Sequence, residues 1–337
     1  MQSAQYDGHE RAVQLITRVD ADVVEISVVV PSFNEAENLP HLLKRLSEVL
    51  ASAASYEIIV VDDGSSDGTD RLMRRLVSGG TTRQIHYVRL SRNFGHQAAL
   101  RAGLMHARGA AVISMDADFQ HPPEIVQTLI EKWREGHEIV TTTRIDPDNQ
   151  SAFKRITSRA YYNLLNRLGE VTVNPGMADF RLLDRCVVDV INDMPEADLF
   201  LRGMIPWLGF RSANTDYLAG HRLHGKSKYT LRKMTSLAAA GIVAQSMLPL
   251  RISILLAGFV ASLTLLYIVY ALCRYFINGD AVPGWASVIV SVNMIGSLQL
   301  IVLGVIGEYL GRVLRESRRR PTFVVAEATL SPAGGRQ

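Results

Sequence analysis

From residue 26 to residue 143, short apolar runs rich in valine and isoleucine alternate with longer segments whose apolar residues recur at helical spacing. The runs predict strands over Ile26–Val30, Glu57–Asp62, Gln84–Leu90, Ala111–Asp116 and Glu138–Thr143. The segments between them predict helices over Ala36–Ala53, Asp67–Val77, Gln97–His106 and Pro123–Glu135. Strands that are apolar almost throughout, alternating with helices, indicate an α/β domain whose mostly parallel sheet is covered on both faces. No repeat of roughly 20–50 residues recurs, which excludes a solenoid.

The pattern changes in the last third. Two apolar runs, roughly Arg251–Arg274 and Pro283–Gly307, each near the ~20 residues that cross ~30 Å of hydrocarbon as a helix. The short link between them favours a membrane hairpin over a buried helical pair of a soluble domain. Arg232, Lys233 and Arg251 precede the first run, and Arg312, Arg315, Arg318, Arg319 and Arg320 follow the second. The link offers only Arg274, offset by Asp280, so the positive-inside rule places both termini in the cytoplasm. Trp285, Tyr275 and Tyr309 sit near span ends, where aromatic residues prefer the interface. Before the first run, Leu231, Met234, Leu237, Ala238, Ile242 and Met247 suit an amphipathic helix lying on the bilayer or packed on the α/β domain. The expected organisation is an N-terminal tail (1–25), an α/β domain (26–229), a juxtamembrane helix (230–250), a two-helix transmembrane hairpin (251–310) and a basic cytoplasmic tail (311–337).

Composition narrows the function. The 337 residues are 47% hydrophobic with a formal net charge of +3, enough apolar material for a sizeable core. The basic residues form no stripe interleaved with aromatics, so nucleic acid is excluded as a partner. Cys186 and Cys273 have neither zinc-ligand spacing nor the density of a disulfide framework. The first twenty-five residues hold no apolar core of signal-peptide length, so no cleavable export signal is expected there.

Candidate chemistry gathers where strands give way to helices. Asp116-Ala117-Asp118-Phe119-Gln120 follows a strand-like run, and in an extended segment residues two apart face the same side. Asp116, Asp118 and Gln120 could therefore present oxygens to one hard cation, Mg²⁺ or Mn²⁺, at the carboxyl end of a strand, where open α/β sheets bind ligands. In Pro31-Ser32-Phe33-Asn34-Glu35-Ala36-Glu37, Asn34 can cap the next helix with Glu37 as reciprocal partner, leaving Phe33 and Glu35 for a ligand. No glycine fingerprint for a dinucleotide and no P-loop occurs. In Val61-Asp62-Asp63-Gly64-Ser65-Ser66-Asp67, Asp67 suits a helix cap; Asp62 could accept from a base or ribose, or belong to an ordinary Asp-Gly turn.

These motifs occur in order with Arg92-Asn93-Phe94-Gly95, Ala178-Asp179-Phe180-Arg181, Arg222-Leu223-His224-Gly225-Lys226-Ser227-Lys228-Tyr229 and Gly307-Glu308-Tyr309-Leu310-Gly311-Arg312. Together they resemble the inverting family 2 glycosyltransferases of GT-A fold, and within them the polyprenyl-phosphate branch that includes dolichyl-phosphate mannose synthase and bactoprenol glucosyltransferases. The resemblance covers about residues 26–325. It implies transfer of one sugar, with inversion, from a nucleotide-sugar donor to a polyprenyl (undecaprenyl) phosphate at the inner membrane, giving a lipid-linked sugar for cell-envelope glycans. It implies nucleotide contacts at Pro31, Phe33, Glu35, Asp62, Asp63 and Asp116, and a Mn²⁺ or Mg²⁺ ion on Asp116, Asp118 and Gln120. It implies phosphate contacts from Arg167, Arg181, Arg222 and Lys228, with Asp116, Asp118, Asp179 and Arg181 as the catalytic group. Because a phosphate monoester has a second pKa near ~6, the acceptor demands no strong base, and Asp179 is expected to orient.

Two departures stand out: Ala178 where relatives commonly carry glycine, and Lys226 where an acidic residue is frequent. A processive polysaccharide synthase is the rival enzyme, but its Gln-x-x-Arg-Trp motif is absent, since four residues part Arg202 from Trp207. A non-catalytic nucleotide-sugar scaffold is the rival outside enzymes. UDP-glucose or another UDP-hexose is the expected donor, with GDP-mannose and UDP-pentoses open. Gly296, Gly304, Gly307 and Gly311 would permit close helix packing in a homo-oligomer.

Overall fold

The computed structural model describes residues 24–53, 55–79, 84–145, 177–196, 201–218, 248–278 and 284–330. The strands are β1 (Ile26–Ser32), β2 (Tyr56–Asp62), β3 (Ile85–Leu90), β4 (Ala111–Ser114), β5 (Ile139–Ile145), β6 (Met177–Asp184), β7 (Ser212–Leu218) and β8 (Val325–Ala328). The helices are α1 (Leu39–Leu50), α2 (Thr69–Ser78), α3 (His96–His106), α4 (Ile125–Arg134), α5 (Arg185–Asp193), α6 (Leu201–Trp207), α7 (Leu248–Asn278) and α8 (Trp285–Ser317). Every strand and helix expected up to residue 143 is present, with ends displaced by a few residues.

One eight-stranded sheet runs in the order β7-β5-β6-β4-β1-β2-β3-β8. β1 pairs in parallel with β2 and β4, β2 with β3, and β5 with β7. β6 lies antiparallel between β4 and β5, and β8 antiparallel to β3, so the sheet is mixed, with the other six strands running one way as a mostly parallel sheet requires. Side-chain alternation along the strands divides the core. Val28 and Val30 face one apolar layer with Leu42 and Leu46 of α1 and Val126 and Leu129 of α4. Val29, Ile59 and Val61 face the other, with Ala99 and Leu100 of α3 and Val187 and Ile191 of α5. α3 approaches β1 so closely that a Cβ at Gly103 would lie 2.1 Å from Val29 Cγ1. Glycine at that position is a packing requirement.

The chain divides into two units, one comprising residues 1–158, 173–227 and 321–337, the other residues 159–172 and 228–320. The sheet belongs to the first. Residues expected to form only a basic tail therefore include a strand. Thr329 N donates to Tyr87 O at 2.9 Å, Ser91 N to Val324 O at 2.9 Å, and Arg74 pairs with Glu327 at 2.7 Å. In the second unit α7 and α8 pack against each other. Among the described residues, one helical stretch, Ser291–Gly311 in α8, is long and apolar enough to cross a membrane; α7 carries a shorter apolar stretch, Leu255–Tyr267. The expected juxtamembrane helix lies mostly outside the described residues, as does the N-terminal tail.

Candidate active site

The sheet brings four chemistry-bearing strand ends side by side, since Ser32 is in register with Asp62 and Ser114 with Arg181. The first two corners are fastened together. Asn34 adopts φ 57°, donates its N–H to Ser65 Oγ at 2.9 Å and accepts Ser66 N–H on its side-chain oxygen at 2.9 Å. The reciprocal cap expected of Asn34 and Glu37 is thus not formed: α1 begins later, at Leu39, with no side-chain cap. A left-handed Asn costs little backbone energy, and here it secures a long-range contact. Asp67 stands one residue before the cap position of α2, which Gly68 fills at φ 98°; from there it accepts from Thr69 N and Oγ1 at 3.0 and 2.7 Å and from Ala36 N–H at 3.0 Å.

Asp62 is fully buried, accepting from Ser65 N–H and Tyr87 O–H, each at 2.8 Å, with Arg89 Nε 3.8 Å away. The Tyr87 phenol is pushed up by burial and by that carboxylate. Asp63 accepts the N–H groups of Phe94 and Gly95 at 2.7 and 2.9 Å. Burial raises its pKa, and those two N–H groups oppose the rise. Gly64, at φ 71°, leaves no room for a side chain: a Cβ would lie 2.6 Å from the Arg92 carbonyl carbon. Pro31 is buried in β1, Phe33 is exposed, and Glu35 Oε2 accepts from Asn38 Nδ2 at 2.6 Å.

β4 ends at Ser114, two residues short of the expected boundary, and Phe119 takes φ 62°. Asp116 and Asp118 therefore sit along a turn rather than on one extended face. Asp118 Oδ1 accepts Gln120 N–H at 3.1 Å, and Gln120 Oε1 accepts from Arg144 Nη1 at 2.9 Å. The turn is fastened by His121. Its Nδ1 accepts Asp116 N–H at 2.9 Å, its Nε2 lies 3.7 Å from Asp116 Oδ2, and its ring stacks on Phe180 at 5.0 Å. Burial holds the imidazole pKa below its ordinary value. Accepting at Nδ1 then leaves the ring proton on Nε2, facing Asp116.

Asp179 on β6 is the most heavily bonded group of the site. Arg181 Nη2 donates to its Oδ1, as does Arg202 Nε at 3.1 Å; Arg202 Nη2 and Gln97 Nε2 donate to Oδ2 at 2.7 and 3.3 Å. His96 Nε2 stands 3.4 Å from Asp179 Oδ2 and 3.6 Å from Asp116 Oδ1, bridging the two carboxylates. Burial alone would raise the Asp179 pKa, but the His96 bond and the charges of Arg181 and Arg202 hold it well below the carboxylate range. The same carboxylates raise the pKa of His96 against its own desolvation. Arg181 is buried, its side chain 1% exposed, whereas that of Arg202 is 40% exposed.

The structure thus brings together Asp116, Asp118, Asp179 and Arg181, and places Pro31, Phe33, Glu35, Asp62 and Asp63 on the neighbouring strand ends. Gln120 has Arg144 as its side-chain partner, and Arg181 points inward to Asp179. Arg167, Arg222 and Lys228 lie outside the described residues. His96, Gln97, His121 and Arg202 complete the cluster without having been singled out from the sequence as site residues. Their signal was slight: His96 and Gln97 open a helix just after a motif glycine, and Arg202 stood out only as part of an absent motif. Among the described residues no three or more His, Cys, Asp or Glu side chains gather as a self-sufficient metal site. Two hard carboxylates nonetheless suit Mg²⁺ or Mn²⁺, which are usually held by one or two carboxylates with substrate phosphates and water.

Residues 27–190 match glycosyl transferase family 2. An uncharacterized glycosyltransferase of Synechocystis sp. is 41% identical over 305 residues, covering 90% of this chain and 95% of that one. The bactoprenol glucosyl transferase of Shigella phage SfV is 37% identical over 303 residues, covering 90% of this chain and 98% of the relative. Among solved structures, the Pyrobaculum calidifontis mannosyltransferase in complex with GDP-Man and Mn²⁺ superposes with a TM-score of 0.46 at 20% identity, over 70% of each chain. The mixed α/β sheet with acidic strand ends, and identity sustained along nine-tenths of the sequence, make this chain a glycosyltransferase belonging to glycosyl transferase family 2.

Proposed function

We propose that the protein is a membrane-bound inverting glycosyltransferase that moves one sugar from a UDP-hexose, UDP-glucose first, to a polyprenyl phosphate. The observation that carries this reading is Asp179, ionised and bonded on both oxygens between two arginines, with only the His96 imidazole between it and Asp116. Such a group is a poor proton acceptor. It suits an acceptor that arrives as an anion, its phosphate having a second pKa near ~6. The bactoprenol glucosyl transferases among the relatives point to the same acceptor class.

In the reaction an acceptor phosphate oxygen attacks the anomeric carbon, the bond to the nucleoside diphosphate breaks, and configuration inverts. Asp116 and Asp118 would hold Mg²⁺ or Mn²⁺, with Gln120 joining only after release from Arg144. The cation would neutralise charge on the departing diphosphate. His121 keeps the Asp116 turn in place through its Nδ1 and ring stack. Asp62, Asp63, Pro31, Phe33 and Glu35 form the nucleotide side. Arg181, buried behind Asp179, acts through that carboxylate, so phosphate contacts fall to Arg167, Arg222 and Lys228. α7 and α8 together form a two-span hairpin with both termini and the sheet-bearing unit on the cytoplasmic side of the plasma membrane.

The test is a donor screen with purified protein, Mn²⁺ or Mg²⁺, and undecaprenyl phosphate. The expected result is metal-dependent release of nucleoside diphosphate that requires the lipid, with one sugar per lipid phosphate. Polymer formation would indicate a processive synthase, and nucleotide-sugar binding without release would indicate a scaffold.

A further inference from the structure

We propose that Phe180, through its ring stack with His121, is the positioning residue that sets Asp116, on the metal side, against Asp179, on the acceptor side. This rests on the polyprenyl-phosphate reading above for what the two sides hold. The register between β4 and β6 ends at the pair Ser114 and Arg181. Carried two residues further, it would set Asp116 directly opposite Asp179, a like-charge cross-strand pair that is destabilising. The chain avoids that pair by ending β4 at Ser114 and turning. The His96 imidazole stands in the gap, its Nε2 3.6 Å from Asp116 Oδ1 and 3.4 Å from Asp179 Oδ2. Beyond Ser114 the ladder no longer fixes how far apart the two carboxylates sit.

A buried aromatic contact on the other face of the sheet takes over that task. Alternation places Asp179 and Arg181 on one face of β6 and Phe180 on the other, in the apolar layer with Val126 and Leu129 of α4. There its ring stacks on His121 with centroids 5.0 Å apart and planes 17° from parallel. His121 is the residue whose Nδ1 accepts the Asp116 N–H at 2.9 Å. The Tyr217 ring of β7 meets His121 and Phe180 edge-on, at 5.9 and 5.8 Å, which restricts sliding of either ring. All three rings are buried. The β6 backbone is held at the same point: Ser114 Oγ donates to Asp179 O at 2.6 Å, and Thr142 Oγ1 to Phe180 O at 2.7 Å. Phe180 is thus joined to Asp179 by one peptide bond and to Asp116 through one imidazole. A displacement of about 1 Å between reacting groups costs on the order of a hundredfold in rate.

The test uses the full-length protein in lipid nanodiscs, with the donor the screen identifies and undecaprenyl phosphate as acceptor. Phe180→Leu keeps an apolar side chain in the layer and removes the stack. His121→Asn keeps an acceptor where Nδ1 stands and removes the ring. Each should lower kcat by about 10- to 100-fold, while both KM values and the calorimetric affinity for UDP with Mn²⁺ stay within about threefold of wild type. A phenylalanine that only filled the core would change the melting temperature and leave the kcat of the folded protein unaltered. The double variant should turn over within about threefold of the slower single variant, because either substitution already breaks the one contact. Either single variant decides the matter should the other fail to fold. A kcat near wild type in a folded variant, losses that multiply in the double variant, or UDP binding lost in parallel with kcat would overturn the assignment. Failure of the functional reading has a different signature: wild-type protein that transfers no sugar to lipid phosphate.

Discussion

Asp179→Asn removes one charge from a buried pair while keeping the shape of the side chain. Asp179 and Arg181 are 3% and 1% exposed, so the variant strands a guanidinium that water cannot reach. Removing one partner of a buried ion pair costs about 3–5 kcal/mol. Arg202 adds little to this figure because its solvent-facing charge is screened. For a unit of this size each kcal/mol lowers the melting temperature by roughly 2–4 °C, so a fall of about 6–20 °C is expected. Asp116→Asn provides the contrast: that side chain is 37% exposed, and its loss should shift stability by less than about 1 kcal/mol. Both variants should lose turnover, so stability separates them. The assay is ligand-free thermal unfolding of the purified proteins in one detergent, followed by circular dichroism. Arg181→Met added to Asp179→Asn should recover part of the loss, because the stranded charge leaves with it. The pH dependence has a definite sign. The folded pKa of Asp179 is depressed, so its stabilisation is complete above the unfolded value near ~3.9 and fades as pH falls toward the folded value. Melting of Asp179→Asn within about 2 °C of wild type, or a smaller loss than for Asp116→Asn, would refute the reasoning.

Gly64→Ala should destabilise the sheet-bearing unit by about 1–3 kcal/mol in the same melting assay, since φ is 71° and the Cβ would meet Arg92 and Asn93 backbone at 2.6 and 2.8 Å. Asp118→Ala should abolish transfer and weaken Mn²⁺ binding in the presence of UDP, measured by calorimetry, while the melting temperature moves by no more than about 2 °C; retained turnover would remove Asp118 from the metal site. A cysteine replacing Asn278 should label from the periplasmic side in intact cells and one replacing Ser317 should not; the reverse pattern would overturn the two-span topology. Lys228→Met keeps the aliphatic stem and loses the charge, so turnover should fall by at least about tenfold with membrane insertion intact; normal rates at limiting donor and acceptor would exclude a phosphate role.

The strands read from the sequence were those whose residues are apolar on both faces, because a run such as Ile58 to Val61 has few other places to go. β6 escaped detection since Met177–Asp184 carries Asp179, Arg181 and Asp184 among its apolar positions. Asp179 and Arg181 are buried only because each meets the other. β8, four residues behind Arg318, Arg319 and Arg320, was too short and too mixed for its alternation to register. Within the site, the acidic turn and the Asp179/Arg181 pair were visible as motifs, since their members are two apart in sequence. Gln97 and Arg202 were not, because they reach Asp179 from 82 and 23 residues away. Asn34 illustrates the converse: its local pattern spelled a helix cap, and a bond to Ser66, 32 residues on, prevailed.

The return of the chain to β3 recasts α7 and α8 as an insertion within the sheet-bearing unit rather than an appendage to it. The chain leaves that unit after residue 227 and rejoins it at residue 321. A truncated protein ending before the helices would keep every candidate site residue and lose β8, leaving β3 as a bare edge strand. Thr329 would no longer satisfy the backbone N–H and C=O of Tyr87, whose phenol bonds Asp62. Unpaired strand edges recruit other strands, so such a truncation invites aggregation. A form with its sheet complete is better obtained by joining residue 229 to residue 321 through a flexible linker, which keeps Lys228, restores the eighth strand and omits α7 and α8.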